Sequence, residues 1–158
     1  MKRLRLYLET SVWNFLDAAD APEKMQITQQ FFEELARSRF ELFISELVIA
    51  EIERTPDEAK RNKLLKEINK YAPTVLDLSN EVGDFTQELM RAKMVAKKHE
   101  NDAAHIAFAV VNELDLLVSW NMGHIVRLRT KLLVESLSIK AGYKRIHICT
   151  PEEVIGYD

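Results

Sequence analysis

Leu4-Arg5-Leu6-Tyr7-Leu8-Glu9-Thr10-Ser11, near the start of the chain, joins a strand signal to an acid and two hydroxyls. Leu4, Leu6 and Leu8 alternate with Arg5 and Tyr7 in a short apolar run, the pattern of a β-strand. Glu9, Thr10 and Ser11 follow at once, Val12-Trp13-Asn14-Phe15-Leu16 then resumes an apolar pattern, and Thr10 to Asp17 reads as a short helix capped by Thr10 or Ser11. A carboxylate at the carboxyl end of a first strand, just before a helix, stands where open α/β sheets place their ligands. Glu9 is therefore a candidate metal ligand, provided other acids reach the same rim.

Outward from this stretch the chain alternates. Glu23 to Ser38 carries Met25, Phe31, Phe32, Leu35 and Ala36 at helical spacing, and Phe40-Glu41-Leu42-Phe43-Ile44 is a second strand. Ser45 suits an N-cap for the helix that bears Glu51, and Asp57 caps a helix that runs to about Tyr71 before Pro73. Thr74 to Leu78 reads as strand three. Ser79 caps a helix to Met90, and a second helical piece carries Lys93, Lys97, Lys98 and His99. Asn101-Asp102 breaks the pattern ahead of an apolar helix from Ala103 to Leu114. Leu116 to Trp120 is apolar throughout, as a central parallel strand should be. Ile125 to Ala141 is helical, Gly142 stops it, and Arg145 to Cys149 is the last strand. Strands separated by helices predict an α/β fold: a three-layer, doubly wound, mainly parallel sheet of about five strands flanked by helices.

At 158 residues the chain predicts one domain, 1–158, large enough to bury a core without staples. Only 4 Gly and 4 Pro occur, which favours long helices over loops. No apolar run approaches the roughly 20 residues that span a bilayer, and Lys2, Arg3 and Arg5 lead into no signal-peptide core. Cys149 is alone, so no internal disulfide can form, which fits a reducing cytoplasm and a cytoplasmic protein. The net charge of -3 gives no global footprint for nucleic acid. Such a partner would need a local basic patch or metal ions set against its phosphates.

If strands one and four are neighbours, Glu9, Glu51, Asp102 and Asn121 can face one cleft. Carboxylates packed that closely repel one another and call for a cation, and oxygen ligands favour Mg²⁺ or Mn²⁺ over zinc. Each residue has a plainer reading: Asp102 a helix N-cap, Glu51 a helix-edge residue, Glu9 a strand end, Asn121 a turn residue. His105 shares a helix face with Asp102 and is either a core histidine, a second ligand or the partner that orients one. His124 lies in the loop after Asn121.

Glu9-Thr10-Ser11 after an apolar strand, Ile44 to Ile52 ending in Ala50-Glu51-Ile52, Asn101-Asp102-Ala103-Ala104-His105-Ile106-Ala107, and Leu117-Val118-Ser119-Trp120-Asn121 together resemble the PIN domain. Thr150-Pro151-Glu152-Glu153 is similar to that family's usual ending. The closest match within the family is to the small prokaryotic single-domain members, many of them VapC-type toxins of toxin–antitoxin pairs. The resemblance implies Mg²⁺- or Mn²⁺-dependent cleavage of RNA by clustered acids, here Glu9, Glu51, Asp102 and, at the fourth place, Asn121. Thr10, or Ser11 beside it, matches the hydroxyl that follows the first acid.

Two departures stand out: the first acid is usually Asp and the fourth often Asp, so Glu9 sets the metal one methylene farther out and Asn121 brings no charge. The expected mechanism has Glu9 and Asp102 on one ion, Glu51 holding the attacking water or a second ion, and Asn121 completing the shell. Lys93, Lys97, Lys98, Arg127, Arg129 and Lys131 are candidate contacts to the RNA backbone. By the same resemblance the partners are an RNA substrate, a cognate antitoxin and a second copy in a homodimer, with Met25, Phe31, Phe32 and Phe40 as interface or core. The alternative is a PIN-like RNA- or protein-binding module whose depleted acid set no longer holds metal productively. A receiver domain fits poorly, because Asp77 falls within strand three and Thr150-Pro151, rather than a lysine, follows the last strand.

Overall fold

The computed structural model describes residues 2–157. Its five strands are β1 (Arg5–Leu8), β2 (Glu41–Ser45), β3 (Thr74–Leu76), β4 (Leu116–Val118) and β5 (His147–Cys149). They lie in the order β3-β2-β1-β4-β5, and every neighbouring pair is parallel. β1 is central and its Leu6, Tyr7 and Leu8 are fully buried, which is why an apolar run is found there rather than a half-polar one.

The helices are α1 (Thr10–Asn14), α2 (Pro22–Arg37), α3 (Glu46–Glu53), α4 (Glu58–Tyr71), α5 (Asn80–Arg91), α6 (Glu100–Val111), α7 (Leu128–Ala141) and α8 (Pro151–Val154). α1 packs on α3 and α3 on α4, whereas α5 packs on α6 and α7. The chain winds from β1 to β3 in one direction and from β4 to β5 in the other, so right-handed crossovers put these two groups on opposite faces. The reversal between β1 and β4 opens a crevice at the carboxyl ends of those two strands. No helix among the described residues is long and apolar enough to cross a membrane.

Several local expectations are corrected. The N-cap of α1 is Glu9, whose side chain accepts from the Ser11 N–H, because Thr10 and Ser11 send their hydroxyls elsewhere. Ser45 occupies the N-cap position of α3 but bonds to the Tyr7 hydroxyl, leaving the helix without a side-chain cap. Asn101-Asp102 is no break, since α6 already starts at Glu100 and holds Asp102 in its first turn. The break falls earlier: Lys93 is left-handed (φ 57°) and only a single 3-10 turn, Lys97–His99, interrupts the loop. Arg127 and Arg129 account for it by drawing the Lys93 and Met94 carbonyls out of helical pairing. α7 starts at Leu128 instead of Ile125, because the Ile125 and Val126 N–H groups both turn back to the Asn121 carbonyl. The third and fifth strands are shorter than expected, with Asp77 and Leu78 exposed beyond β3. Phe31 and Phe32 are core residues, Phe32 against Trp13 and Tyr71 and Phe31 against Phe32, so as interface candidates they are withdrawn; Met25 and Phe40 are half-buried.

Asp115 ties the opposite rim together. Its carboxylate accepts from the Arg5 N–H at 2.8 Å and from Lys144 Nζ at 2.8 Å, with Lys2 Nζ at 3.5 Å. Burial pushes the carboxyl up, but the bonds from Lys144 and Arg5 outweigh it and hold the group below the usual carboxylate range. A depressed folded pKa means stability that is present at neutral pH and lost as pH falls through that value. Asp115→Asn should cost about 1–2 kcal/mol in urea unfolding at pH 7. The difference from the parent should shrink in acid once the parent carboxyl is protonated.

Candidate active site

Glu9 ends β1 in the crevice, 6% exposed, with its N–H on the Val118 carbonyl of β4 at 3.1 Å. Its Oε1 accepts from the Ser11 hydroxyl at 2.6 Å and the Ser119 hydroxyl at 2.6 Å. Ser11 Oγ in turn accepts from the Trp120 N–H at 2.8 Å, and Ser119 Oγ from the Asn121 N–H at 2.9 Å. Each serine thus relays a backbone N–H from the end of β4 to the carboxylate. An oxygen that receives two hydroxyl donors is held as an acceptor. Oε2 takes a longer bond from the Ser11 N–H at 3.2 Å and keeps acceptor capacity.

Glu51 reaches the same place from α3. Its Oε1 accepts from Thr10 Oγ1 at 2.7 Å and pairs with His105 Nε2 at 2.5 Å. His105 comes from α6 and is fully buried, with Nε2 3.9 Å from Glu9 Oε2 and Nδ1 2.7 Å from the Tyr7 hydroxyl. That hydroxyl is 2.7 Å from Ser45 Oγ. The carboxylate can only accept, so Nε2 carries the proton in this pair.

Burial pulls the His105 pKa down, but the bond to Glu51 and the charges of Glu9, Glu51 and Asp102 outweigh it, and the net shift is upward. Glu51 is the mirror case: burial pushes its pKa up, and the bonds from His105 and Thr10 with the His105 charge bring it below the ordinary value. Burial also raises Tyr7, which stays a phenol. Each partner of the buried pair thus favours the charged form of the other. With its Nε2 proton committed to Glu51, His105 orients a ligand and leaves the ligating to the carboxylates.

Asp102 and Asn121 belong to an adjoining group. Asp102 Oδ2 lies 2.7 Å from His124 Nδ1, and Asn121 Oδ1 accepts from the His124 N–H at 3.0 Å. The His99 ring lies 4.3 Å from that of His124. The structure thus joins Glu9, Glu51, Thr10, Ser11 and His105 in one network. It sets Asp102 beside them, near enough for its charge to bear on His105, and ties Asn121 to Asp102 through His124.

The sequence assigns Ser119, Tyr7, Ser45 and His99 no part in the site. Ser119 had a signal, a hydroxyl directly before Trp120-Asn121 that mirrors Ser11 after Glu9. Tyr7 had one too, since a tyrosine inside a strand buried on both faces needs a partner for its hydroxyl.

Of the basic candidates, Lys93, Lys97 and Lys98 are exposed along a groove of 790 Å³ that reaches His99 and His124. Arg127 lines the same groove and donates to the Met94 carbonyl at 2.7 Å and Thr130 Oγ1 at 3.0 Å, and exposed Arg129 donates to the carbonyls of Met94 at 3.1 Å and Lys93 at 2.9 Å. Their guanidiniums fasten loops.

The residues present fit a hard divalent cation. Oxygens of Glu9 and Glu51 lie within 4.8 Å of each other, and each carboxylate takes most of its donors on Oε1. The donors left over are oxygens, which select Mg²⁺ or Mn²⁺.

No family model matches the sequence, and no curated protein matches it. Solved structures do. VapBC2 from Rickettsia felis, in a structure bound to a DNA fragment from their promoter, superposes with a TM-score of 0.59 at 15% identity, covering 93% of this chain and 98% of that one. VapC20 from Mycobacterium tuberculosis, a sarcin-ricin loop cleaving toxin, gives a TM-score of 0.59 at 14% identity over 89% of this chain and 98% of its own. Likeness at such low identity is a likeness of fold, and the five-stranded parallel sheet with its flanking helices is the PIN-like α/β fold of these VapC proteins.

Proposed function

From a chain with the VapC-like PIN fold, we propose a Mg²⁺- or Mn²⁺-dependent endoribonuclease, acting as the toxin of a toxin–antitoxin pair. The observation that carries this reading is the approach of the Glu9 and Glu51 carboxylates within 4.8 Å in the crevice between β1 and β4, with the Asp102 charge beside them. Glu9, Glu51 and Asp102 would hold the ion. When bound there, it supplies positive charge against the substrate phosphate and acidifies water.

The chain's own residues set this up. Ser11 and Ser119 fix the Glu9 carboxylate by both hydroxyls, and Thr10 and His105 fix Glu51. Asp102 must leave His124 to join them, and Asn121 contributes a carbonyl oxygen that already serves the His124 N–H. Exposed Lys93, Lys97 and Lys98 line the approach with positive charge. Under this reading the partners are RNA, an antitoxin and a second copy of the chain, in a cytoplasmic setting. The paired VapBC2 neighbour supports the antitoxin.

Asp102→Asn should leave the circular dichroism spectrum unchanged and lower Mn²⁺-dependent cleavage of single-stranded RNA by about 100-fold or more. Undiminished cleavage would remove Asp102 from the site. The Asp102–His124 bond favours the second reading, a binding module, because it competes with metal for the third acid. Titration calorimetry separates the two: no Mn²⁺ binding at millimolar metal favours the module.

A further inference from the structure

His99, Asp102 and His124 make a cluster of different chemistry from the carboxylate pair. The chain has 4 histidines. His105 is spent on Glu51 and Tyr7, His147 is exposed on β5, and the remaining two meet beside Asp102 with ring centroids 4.3 Å apart. One ligand atom from each of His99, Asp102 and His124 lies within 4.8 Å of the others, and all three residues are half-buried. The His99 ring has no hydrogen-bond partner among the described residues, although it faces another imidazole and a nearby carboxylate.

The two loops that carry the histidines are held rigidly. The His124 carbonyl accepts from the buried Thr130 hydroxyl at 2.5 Å, and its N–H is held by Asn121. The His99 N–H closes the turn onto the Ala96 carbonyl at 2.8 Å. Arg127 in the loop after His124, and Arg129 in the first turn of α7, bind this segment to the Lys93 and Met94 carbonyls of the loop before His99. A cation would therefore meet ligands already in place, with little ordering left to do.

Two imidazoles and a carboxylate are the donor set of zinc and similar cations, whereas the neighbouring carboxylates suit Mg²⁺ or Mn²⁺. We propose that His99, Asp102 and His124 form a second metal site for an imidazole-preferring divalent cation of the Zn²⁺ class, whose occupation keeps Asp102 away from Glu9 and Glu51. The 2.7 Å Asp102–His124 contact needs to open to roughly 3.4 Å for tetrahedral ligands at about 2.1 Å from the ion, a sub-ångström adjustment. The groove of 790 Å³ lined by both histidines gives the ion a way in. Cys149 is no competitor, since burial foremost pushes its thiol up to about 12. The regulatory half, in which zinc slows cleavage, rests on the ribonuclease reading; the site itself does not.

Zinc titration calorimetry on tag-free protein tests the site. The parent and His147→Ala should bind one zinc, and the His99→Ala/His124→Ala double variant should bind it at least ~100-fold more weakly. Unweakened binding in the double variant, or loss of binding in Glu9→Gln, overturns the proposal. Zinc-edge anomalous scattering from parent crystals is the check that needs no variant: a peak at His99 and His124 supports the site, and a peak only elsewhere overturns it. Zinc should also slow Mn²⁺-dependent cleavage by the parent and spare His99→Ala, and cleavage indifferent to zinc overturns the regulatory half. A protein that cleaves nothing with any metal contradicts the ribonuclease reading alone, because calorimetry still decides the zinc site.

Discussion

Glu9→Gln is expected to reduce Mn²⁺-dependent RNA cleavage by about 1,000-fold or more, the largest effect of any single substitution in the chain. The reason lies in how the carboxylate is held. Oε1 accepts from two serine hydroxyls, each of which receives a backbone N–H from the end of β4, while Oε2 accepts from the Ser11 N–H. A glutamine can keep its oxygen on the two serines only by turning its NH₂ toward the Ser11 N–H and the cleft, where a cation would sit. It loses the charge and presents a donor to the metal in one step. Ser119→Ala should act more mildly, since Ser11 still holds Oε1. A Glu9→Gln protein that folds, shown by an unchanged circular dichroism spectrum, and still cleaves at the parental rate would contradict the role of Glu9.

His105→Ala is expected to destabilise the fold by about 2–4 kcal/mol in urea unfolding without added metal. The imidazole is fully buried and links three elements: Tyr7 on β1, Glu51 on α3 and its own α6. Truncation leaves a cavity, strips the Tyr7 hydroxyl back to Ser45 alone and removes the ring N–H that holds Glu51. The pH dependence has a definite sign. His105 is raised above its ordinary value near 6.5, so its stabilisation is complete below that pH and is lost as pH climbs through the raised folded value. The deficit of His105→Ala should be larger at pH 6 than at pH 9. An equal deficit at both would mean that packing alone, and no charge pairing, accounts for the loss.

The fold could be read from sequence because its signals are local. The short apolar run from Leu4 to Leu8, the apolar run of Leu116 to Val118 and the N-caps Asp57 and Ser79 each act within a few residues; both runs form strands and both caps reappear. The errors fell where a distant partner decides the backbone. Arg127 and Arg129 reach back more than thirty residues to the Lys93–Met94 carbonyls and unwind an expected helix, and no local pattern reveals that reach. The site divides in the same way. Glu9, Glu51 and Thr10 were legible as types at strand and helix ends. That His105 would bond Glu51, and that His124 would bond Asp102, depended on how α3, α6 and the loop after β4 meet across the crevice. The hydroxyl relay through Ser11 and Ser119 needs β1 and β4 to be neighbours, which becomes certain only with the strand order in hand.

Under the proposed function, Glu9, Glu51 and Asp102 would hold one hard divalent cation between β1 and β4. Crystals soaked in Mn²⁺ and measured for manganese anomalous scattering test it directly. A peak is expected within about 2.2 Å of oxygens from Glu9 and Asp102, with Glu51 beside it and His124 released from Asp102. A map at saturating Mn²⁺ with no peak between those carboxylates, or with manganese only at His99 and His124, would contradict it.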